Sequence, residues 1–359
     1  MSHKPSPLDL IRPAVRAMPG YTPGEQVADL TKLNTNEGAY PPSPRVLAAV
    51  AALTPDNLRL YPDPVSTRLR TTAAALFGVT PAQVLAGNGS DDCLTILYRG
   101  FLDPGERVAC PWPTYGLYDT LAALQGAELL RVPFVVNGRR FALPPALTQQ
   151  RAKMIILANP NNPTGTMIPV ADLRALCGAA PEAIVVIDEA YIDFALVDGL
   201  DASVLPVLDQ HPNLIVLRTL SKAYSLAGAR VGLLFASAPL VAMLTKVKDS
   251  YNLNALSQAI GVAALEDRVY WQDCVGRTLG ERRRLEAALA AMGLTWPESG
   301  ANFLMVEVGA RAEQIYLALK SAGVLVRWWA APELRTQLRI SVGKPADNDR
   351  LLALLKPLL

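Results

Sequence analysis

Four near-continuous apolar runs constrain this chain most: Arg107-Val-Ala-Cys-Pro111, Met154-Ile-Ile-Leu-Ala158, Ala183-Ile-Val-Val-Ile-Asp188 and Leu214-Ile-Val-Leu217. A strand with one solvated face alternates apolar and polar residues. These runs do not alternate, so they read as strands of a sheet covered on both faces. Helical patterns over 117–126 and 169–178 lie between them. Strand and helix in alternation predict an α/β fold with a mostly parallel sheet flanked by helices. Past about residue 260 the pattern changes. A helical region rich in Arg, Glu, Ala and Leu, roughly 256–292, leads into three short strands at 302–307, 324–328 and 337–342, with a helix over 312–322. Three parts are therefore expected: a Pro-rich N-terminal segment (1–35) packing on the small domain, a large domain (36–260) and a smaller α+β domain (261–359).

Composition removes several function classes. A net charge of +2 gives no reason to expect nucleic acid or an anionic membrane as partner. Four dispersed cysteines and only His3 and His211 leave almost no ligands for a metal site, and none is expected. The first residues lack an apolar targeting segment, and no apolar run approaches the 18 residues of a membrane span. The expectation is a cytoplasmic protein.

The chemistry-bearing motifs follow strands. Gly87-Asn-Gly-Ser-Asp-Asp92 opens a helix with Leu94, Leu97, Tyr98 and Phe101 on its apolar face. Glycines let a ligand approach the backbone, Ser90 is a candidate cap, and the free amides favour a phosphate. An ordinary capped helix start is the other reading. Asn159-Pro-Asn-Asn-Pro-Thr-Gly165 is a rigid loop after a buried strand, with an asparagine amide facing whatever lies beyond the strand end. Asp188 follows five apolar residues, so its carboxylate must meet a partner, become protonated, or serve as a helix cap. Tyr115 is placed either to stack on a flat ring or simply to pack.

The run Arg218-Thr-Leu-Ser-Lys-Ala-Tyr-Ser-Leu-Ala-Gly-Ala-Arg230 sets one lysine between two apolar stretches. Desolvation lowers a lysine's pKa and makes its neutral amine available, as a lysine that forms a Schiff base requires. A solvated lysine beside a strand is the alternative. Taken together, the motifs supply an anion cradle, an asparagine, an aspartate, an amine and an arginine at the carboxyl ends of one sheet. Pyridoxal 5'-phosphate needs that set: its phosphate at Gly89, Ser90, Asp91 and Arg230, its ring oxygen at Asn162 and Tyr191, its ring nitrogen at Asp188, and its aldehyde at the catalytic Lys222.

The order of these motifs resembles the class II, fold-type I pyridoxal-phosphate aminotransferases over nearly the whole chain. Within that class the chain is similar to the histidinol-phosphate aminotransferases. The residues carrying the likeness are Lys32-Leu-Asn-Thr-Asn-Glu37, Tyr61-Pro-Asp-Pro64, Gly87-Asn-Gly-Ser-Asp91, Lys248-Asp-Ser-Tyr-Asn252 and Leu338-Arg-Ile-Ser-Val-Gly343. The resemblance implies transamination between histidinol phosphate and 2-oxoglutarate, a step of histidine biosynthesis. It implies a homodimer in which Tyr61 reaches the cofactor phosphate of the partner subunit. It also implies that Ser221 contacts the phosphate, that Tyr115 stacks on the ring, and that Tyr21, Arg327 and Arg339 hold the substrate's anionic group. Arg327 has a rival role, stacked on a neighbouring tryptophan at the surface. The chain reads Asn36-Glu-Gly-Ala-Tyr-Pro-Pro-Ser43 where members often read Asn-Glu-Asn-Pro-Tyr-Gly-Pro-Ser, and this loop, with Asn36, borders the substrate. Other readings are an aromatic or phenylalanine aminotransferase, a decarboxylase of a phosphorylated amino acid, and a binding domain on the same fold. The last would not need Lys222, Asp188 and Arg230 together.

Overall fold

The computed structural model describes residues 6–18, 20, 23–27, 29–197 and 202–359. Seven strands form one sheet: β1 (Val84–Asn88), β2 (Arg107–Trp112), β3 (Glu128–Pro133), β4 (Met154–Ala158), β5 (Ile184–Asp188), β6 (Leu214–Thr219) and β7 (Val231–Phe235). Their spatial order is β1-β7-β6-β5-β4-β2-β3. All neighbours are parallel except β7, which runs antiparallel to both β1 and β6. The four apolar runs of the sequence become β2, β4, β5 and β6. Along the last three, successive residues bury on opposite faces. Ile155, Leu157, Val185, Ile187, Leu214 and Val216 join one apolar cluster. Met154, Ile156, Val186, Ile215 and Leu217 join another. Both faces are packed against apolar side chains along these runs, which is why the runs do not alternate.

Helices complete the two faces. α1 (Ser90–Phe101) and α2 (Leu117–Gln125) place Leu94, Leu97, Tyr98, Tyr118 and Leu121 in the second cluster. On the other face, α3 (Val170–Ala179) and α4 (Ala255–Glu266) bring Leu173, Leu176, Val262 and Leu265. The helical region expected over 256–292 is two helices. It divides at Asp267, whose side chain caps α5 (Arg268–Ala291). α5 serves both ends of the molecule: Trp271, Val275 and Leu279 pack with the sheet, while Leu285 and Leu289 enter a third, separate cluster.

That third cluster belongs to the smaller part, built on β8 (Phe303–Glu307) and β9 (Gln337–Ser341), which pair antiparallel. α6 (Ala312–Ser321) and α7 (Pro345–Leu355) cover the pair with Ile315, Leu319, Leu351 and Leu355. The strand expected at 324–328 is shorter, Val324–Leu325, and it pairs with Thr31–Lys32 of the N-terminal segment. Earlier in that segment, Arg12 donates to the Leu124 carbonyl of α2 at 2.7 Å, so the segment touches both parts. No helix among the described residues is long and apolar enough to cross a membrane.

Candidate active site

The carboxyl ends of β1, β2, β4, β5 and β6 open into a cavity of about 1070 Å3. Because β7 runs against its neighbours, its amino end reaches the same sheet edge and brings Arg230 with it. Ser90, Asp91, Tyr115, Asn162, Asp188 and Tyr191 line this cavity, as do Ser221, Lys222 and Arg230. Asn36, Arg327 and Arg339 close it from the smaller part and its N-terminal strap.

A turn between β1 and α1 forms the first wall. Gly89 has φ +86, and a Cβ there would lie 2.4 Å from Arg230 Nη2. A Cβ on Gly232, in β7, would lie 2.2 Å from the Gly89 carbonyl carbon, so two glycines let the turn sit flat on the neighbouring strand. Ser90 does not cap: Gly89 is the cap residue, and Ser90 is the first residue of the helix. Arg230, at φ +53, donates to Asp91 Oδ2 at 3.0 Å and to Ser221 Oγ at 3.5 Å. The Tyr115 hydroxyl donates to Asp91 Oδ1 at 3.3 Å. The Asp91 carboxylate thus orients both Arg230 and Tyr115, and the start of the helix, the Ser221 hydroxyl and the guanidinium gather donors that could hold an anion.

At the end of β5, Asp188 is 4 % exposed. Its carboxylate accepts from the Tyr118 hydroxyl at 3.2 Å and the Ala190 N–H at 3.1 Å. Burial pushes its pKa up to about 7, against the pull of those two donors. The following short helix, Ile192–Leu196, has Tyr191 at its cap position, so Asp188 is not a helix cap. A buried carboxylate with neutral partners favours a cation at its free side.

Of three asparagines in the loop after β4, two are consumed by the loop itself. Asn159 donates to the Ile168 carbonyl, and Asn161 bonds Thr164 and the Pro113 carbonyl. Asn162 is the one that lines the cavity, where its Oδ1 accepts from Arg339 Nη1 at 2.5 Å. Lys222 Nζ donates to the Thr35 carbonyl at 3.0 Å and lies 5.6 Å from the Tyr191 ring centroid. The amine is thereby held by a neutral carbonyl at the mouth of the cradle.

The opposite wall is cationic. Arg327 and Arg339 pair across an isolated antiparallel bridge, and each guanidinium lies 5.2 Å from the centroid of the Trp329 ring. Arg327 thus stacks on a tryptophan as its rival role requires, yet that tryptophan lines the cavity rather than the outer surface. Arg339 is 6 % exposed and also donates to the Asn34 carbonyl at 2.7 Å. Asn36 is almost fully buried, its amide bonded to Tyr191 and Ser341. Tyr21 lies outside the described residues. Tyr61 is not in the cavity; it stacks on Tyr251 at 4.4 Å and is 81 % exposed.

Four contributors are not legible as motifs: Tyr118, which bonds Asp188; the Thr35 carbonyl, which holds Lys222; Trp329; and Gly232. Only the last leaves a signal, a glycine inside an apolar strand, which marks close backbone approach.

The chain resembles known proteins over nearly its whole length. The sequence model of the family described as aminotransferase class I and II matches residues 28–355. A histidinol-phosphate aminotransferase from Synechocystis sp. is 46 % identical over 345 residues, 95 % of this chain and 96 % of the relative. A protein named histidinol-phosphate aminotransferase 2 from Burkholderia mallei is 40 % identical, covering 96 % of this chain and 97 % of the relative. Among solved structures, histidinol-phosphate aminotransferase from Sinorhizobium meliloti in complex with pyridoxal-5'-phosphate superposes with TM-score 0.86 at 29 % identity, over 96 % of each chain. The chain belongs to the family of class I and II aminotransferases.

Proposed function

We propose that the chain exchanges an amino group between histidinol phosphate and 2-oxoglutarate, using pyridoxal 5'-phosphate. The observation that carries the substrate is the Arg327–Arg339 pair in the same cavity as Lys222. A guanidinium fork accepts a phosphate or a carboxylate equally well, so one site serves the phosphorylated donor and the dicarboxylic acceptor in turn. The names of the relatives at 46 and 40 % identity support the same substrate.

The residues fit the cofactor. Gly89 leaves no space for a side chain because the anion-binding Arg230 occupies it, and buried Asp188 gains a charged partner if a protonated ring nitrogen sits against it. Gly89, Ser90, Asp91, Ser221 and Arg230 would hold the phosphate, Asn162 and Tyr191 the ring oxygen, Asp188 the ring nitrogen and Tyr115 the ring face. When bound, the cofactor supplies an electron sink for the carbanion formed at the substrate's Cα. Lys222 is the only lysine among the described residues lining the cavity, so its amine would hold the cofactor and would be the group placed to move the proton at Cα. Asp188 would favour a positive charge at the opposite end of the ring, and Arg327 and Arg339 would orient the substrate by its anionic end. Tyr21 and Asn36 complete the substrate side of this proposal.

The same proposal includes a cytoplasmic homodimer. Tyr61 and its neighbour Leu60 are exposed outside the cavity, which supports contact with a second copy and its cofactor phosphate. All four cysteines are free and buried, which suits a reducing compartment. The division into 1–35, 36–260 and 261–359 belongs to it too, supported by the separate apolar clusters, with α5 contributing to both. Incubation of the purified, cofactor-loaded protein with histidinol phosphate and 2-oxoglutarate tests the activity: glutamate forms if it holds, and none forms if it fails.

A further inference from the structure

Two hydrogen bonds run in one direction, from Ser341 of the smaller part through Asn36 to Tyr191 after β5, and a third, from the Asn36 backbone back to Ser341, sets their sense. The Asn36 N–H donates to Ser341 Oγ at 2.9 Å, so that hydroxyl places its own proton elsewhere, and Asn36 Oδ1 lies 2.8 Å away. With Oδ1 accepting there, Asn36 Nδ2 faces the other way and donates to Tyr191 Oη at 3.1 Å. The Tyr191 hydroxyl, having accepted, keeps its proton for a partner in the cavity. Asn36, Ser341 and Tyr191 are 1, 3 and 5 % exposed, so water hardly competes for these bonds. Asn36 is held at φ +56, and Asn302 Nδ2 donates to its carbonyl at 3.1 Å. A conformation that L residues seldom adopt persists where its surroundings over-determine it. Ser341 stands two residues after Arg339 on β9, on the same face of the strand.

We propose that Ser341 and Asn36 are positioning residues that fix the Tyr191 hydroxyl as a donor to the ring oxygen of bound pyridoxal phosphate. The inference rests on the function proposed above, since it needs a cofactor oxygen beside Tyr191. One strand then serves both ends of the site: Arg339 presents itself to the substrate's anion, and Ser341 sets the donor on the cofactor. A donor to the ring oxygen stabilises its anionic form, so losing that donor raises the pH at which the visible band of the loaded protein titrates. The charged groups beside Tyr191 are Lys222, 5.6 Å from its ring centroid, Asp188 at the end of β5, and Arg339 across Phe303, and the variants below retain all three.

The test is an absorbance titration against pH of the cofactor-loaded protein and its variants. Tyr191→Phe raises the midpoint by about one pH unit, and Ser341→Ala raises it by about half as much. Ser341→Thr, which keeps a hydroxyl, titrates as wild type. In the Tyr191→Phe background, Ser341→Ala adds nothing, as expected of two changes acting through one bond. Asn36→Gly, which tolerates the positive φ and deletes the same amide, carries the same expectations if Ser341→Ala does not fold. A wild-type midpoint in both Ser341→Ala and Asn36→Gly, or an equal shift in the Tyr191→Phe background, overturns the inference. If those variants transaminate with an unmoved midpoint, the inference fails alone. Wild-type protein that takes up no cofactor overturns the functional reading and the inference together.

Discussion

Arg327 and Arg339 each donate a backbone N–H to the other's carbonyl, at 3.0 and 2.9 Å. Residues paired in this way across an antiparallel bridge send their side chains to the same face. Two guanidiniums are therefore brought together beside one tryptophan before any ligand arrives. An anion held between them would relieve their mutual repulsion.

Arg339→Ala is expected to raise KM for both the amino donor and the keto-acid acceptor. Loss of a charged hydrogen-bonding partner costs ~1.5–3 kcal/mol, or roughly ten- to a hundredfold in affinity. Arg339→Lys does not restore it, because a single ammonium cannot reproduce the fork that also reaches Asn162 and the Asn34 carbonyl. Steady-state kinetics against each partner in turn check this, and impairment of only one partner contradicts the shared anion site.

Lys222→Ala is expected to abolish turnover and the visible absorption of the cofactor-loaded protein. No other lysine among the described residues lines the cavity, so no side chain takes over its proton transfer. Absorption spectra and turnover measured on the same sample check both effects. Near-wild-type transamination contradicts the mechanism.

The legibility of this chain in its sequence divides along physical lines. β4, β5 and β6 were readable because both their faces are buried and burial leaves a continuous apolar run. β3 is a largely exposed edge strand, and its Glu, Arg and Pro leave no such signature. Asp188, Asn162, Lys222 and Arg230 were legible because each is polar at the end of an apolar run. The Thr35 carbonyl was not, because backbone groups are the same at every residue. Tyr118 bonds Asp188 from α2, 70 residues away in sequence, and only the packing of that helix on the sheet brings them together. Residue type makes Ser90 a candidate cap, whereas the positive φ required there puts Gly89 in that place.

Asp188 gives the cofactor-free protein a defined pH dependence. Burial raises its pKa from an ordinary 3.8 to about 7, so between those values the folded protein holds a proton that the unfolded chain has released. Its contribution to stability is full below about 3.8 and is lost as pH rises through 7. Asp188→Asn removes this titration, so Tm of the cofactor-free variant falls less between pH 5 and 8 than that of wild type. Glu189 and Asp193, also buried and pushed upward, are present in both proteins. Parallel Tm profiles contradict the assignment.

Gly89→Ala is expected to weaken cofactor binding by tenfold or more. A methyl group there meets Arg230 Nη2 at 2.4 Å and must also adopt φ +86, costing ~1–3 kcal/mol. Gly78→Ala, at the open C-cap of a helix outside the cavity with φ +72, carries similar backbone strain without touching the cradle, and it leaves cofactor affinity unchanged. Cofactor dissociation constants for the two variants separate strain from displacement of Arg230.

One cavity joins Lys222 to the arginine pair proposed to select a phosphorylated amine. Single-turnover mixing of the cofactor-loaded protein with histidinol phosphate, phenylalanine, tyrosine or threonine phosphate, followed by loss of the visible band, tests it most directly. Histidinol phosphate should discharge the band fastest and at the lowest concentration, with the keto product recovered and no carbon dioxide released from threonine phosphate. Faster discharge by phenylalanine or tyrosine, or carbon dioxide from threonine phosphate, contradicts it.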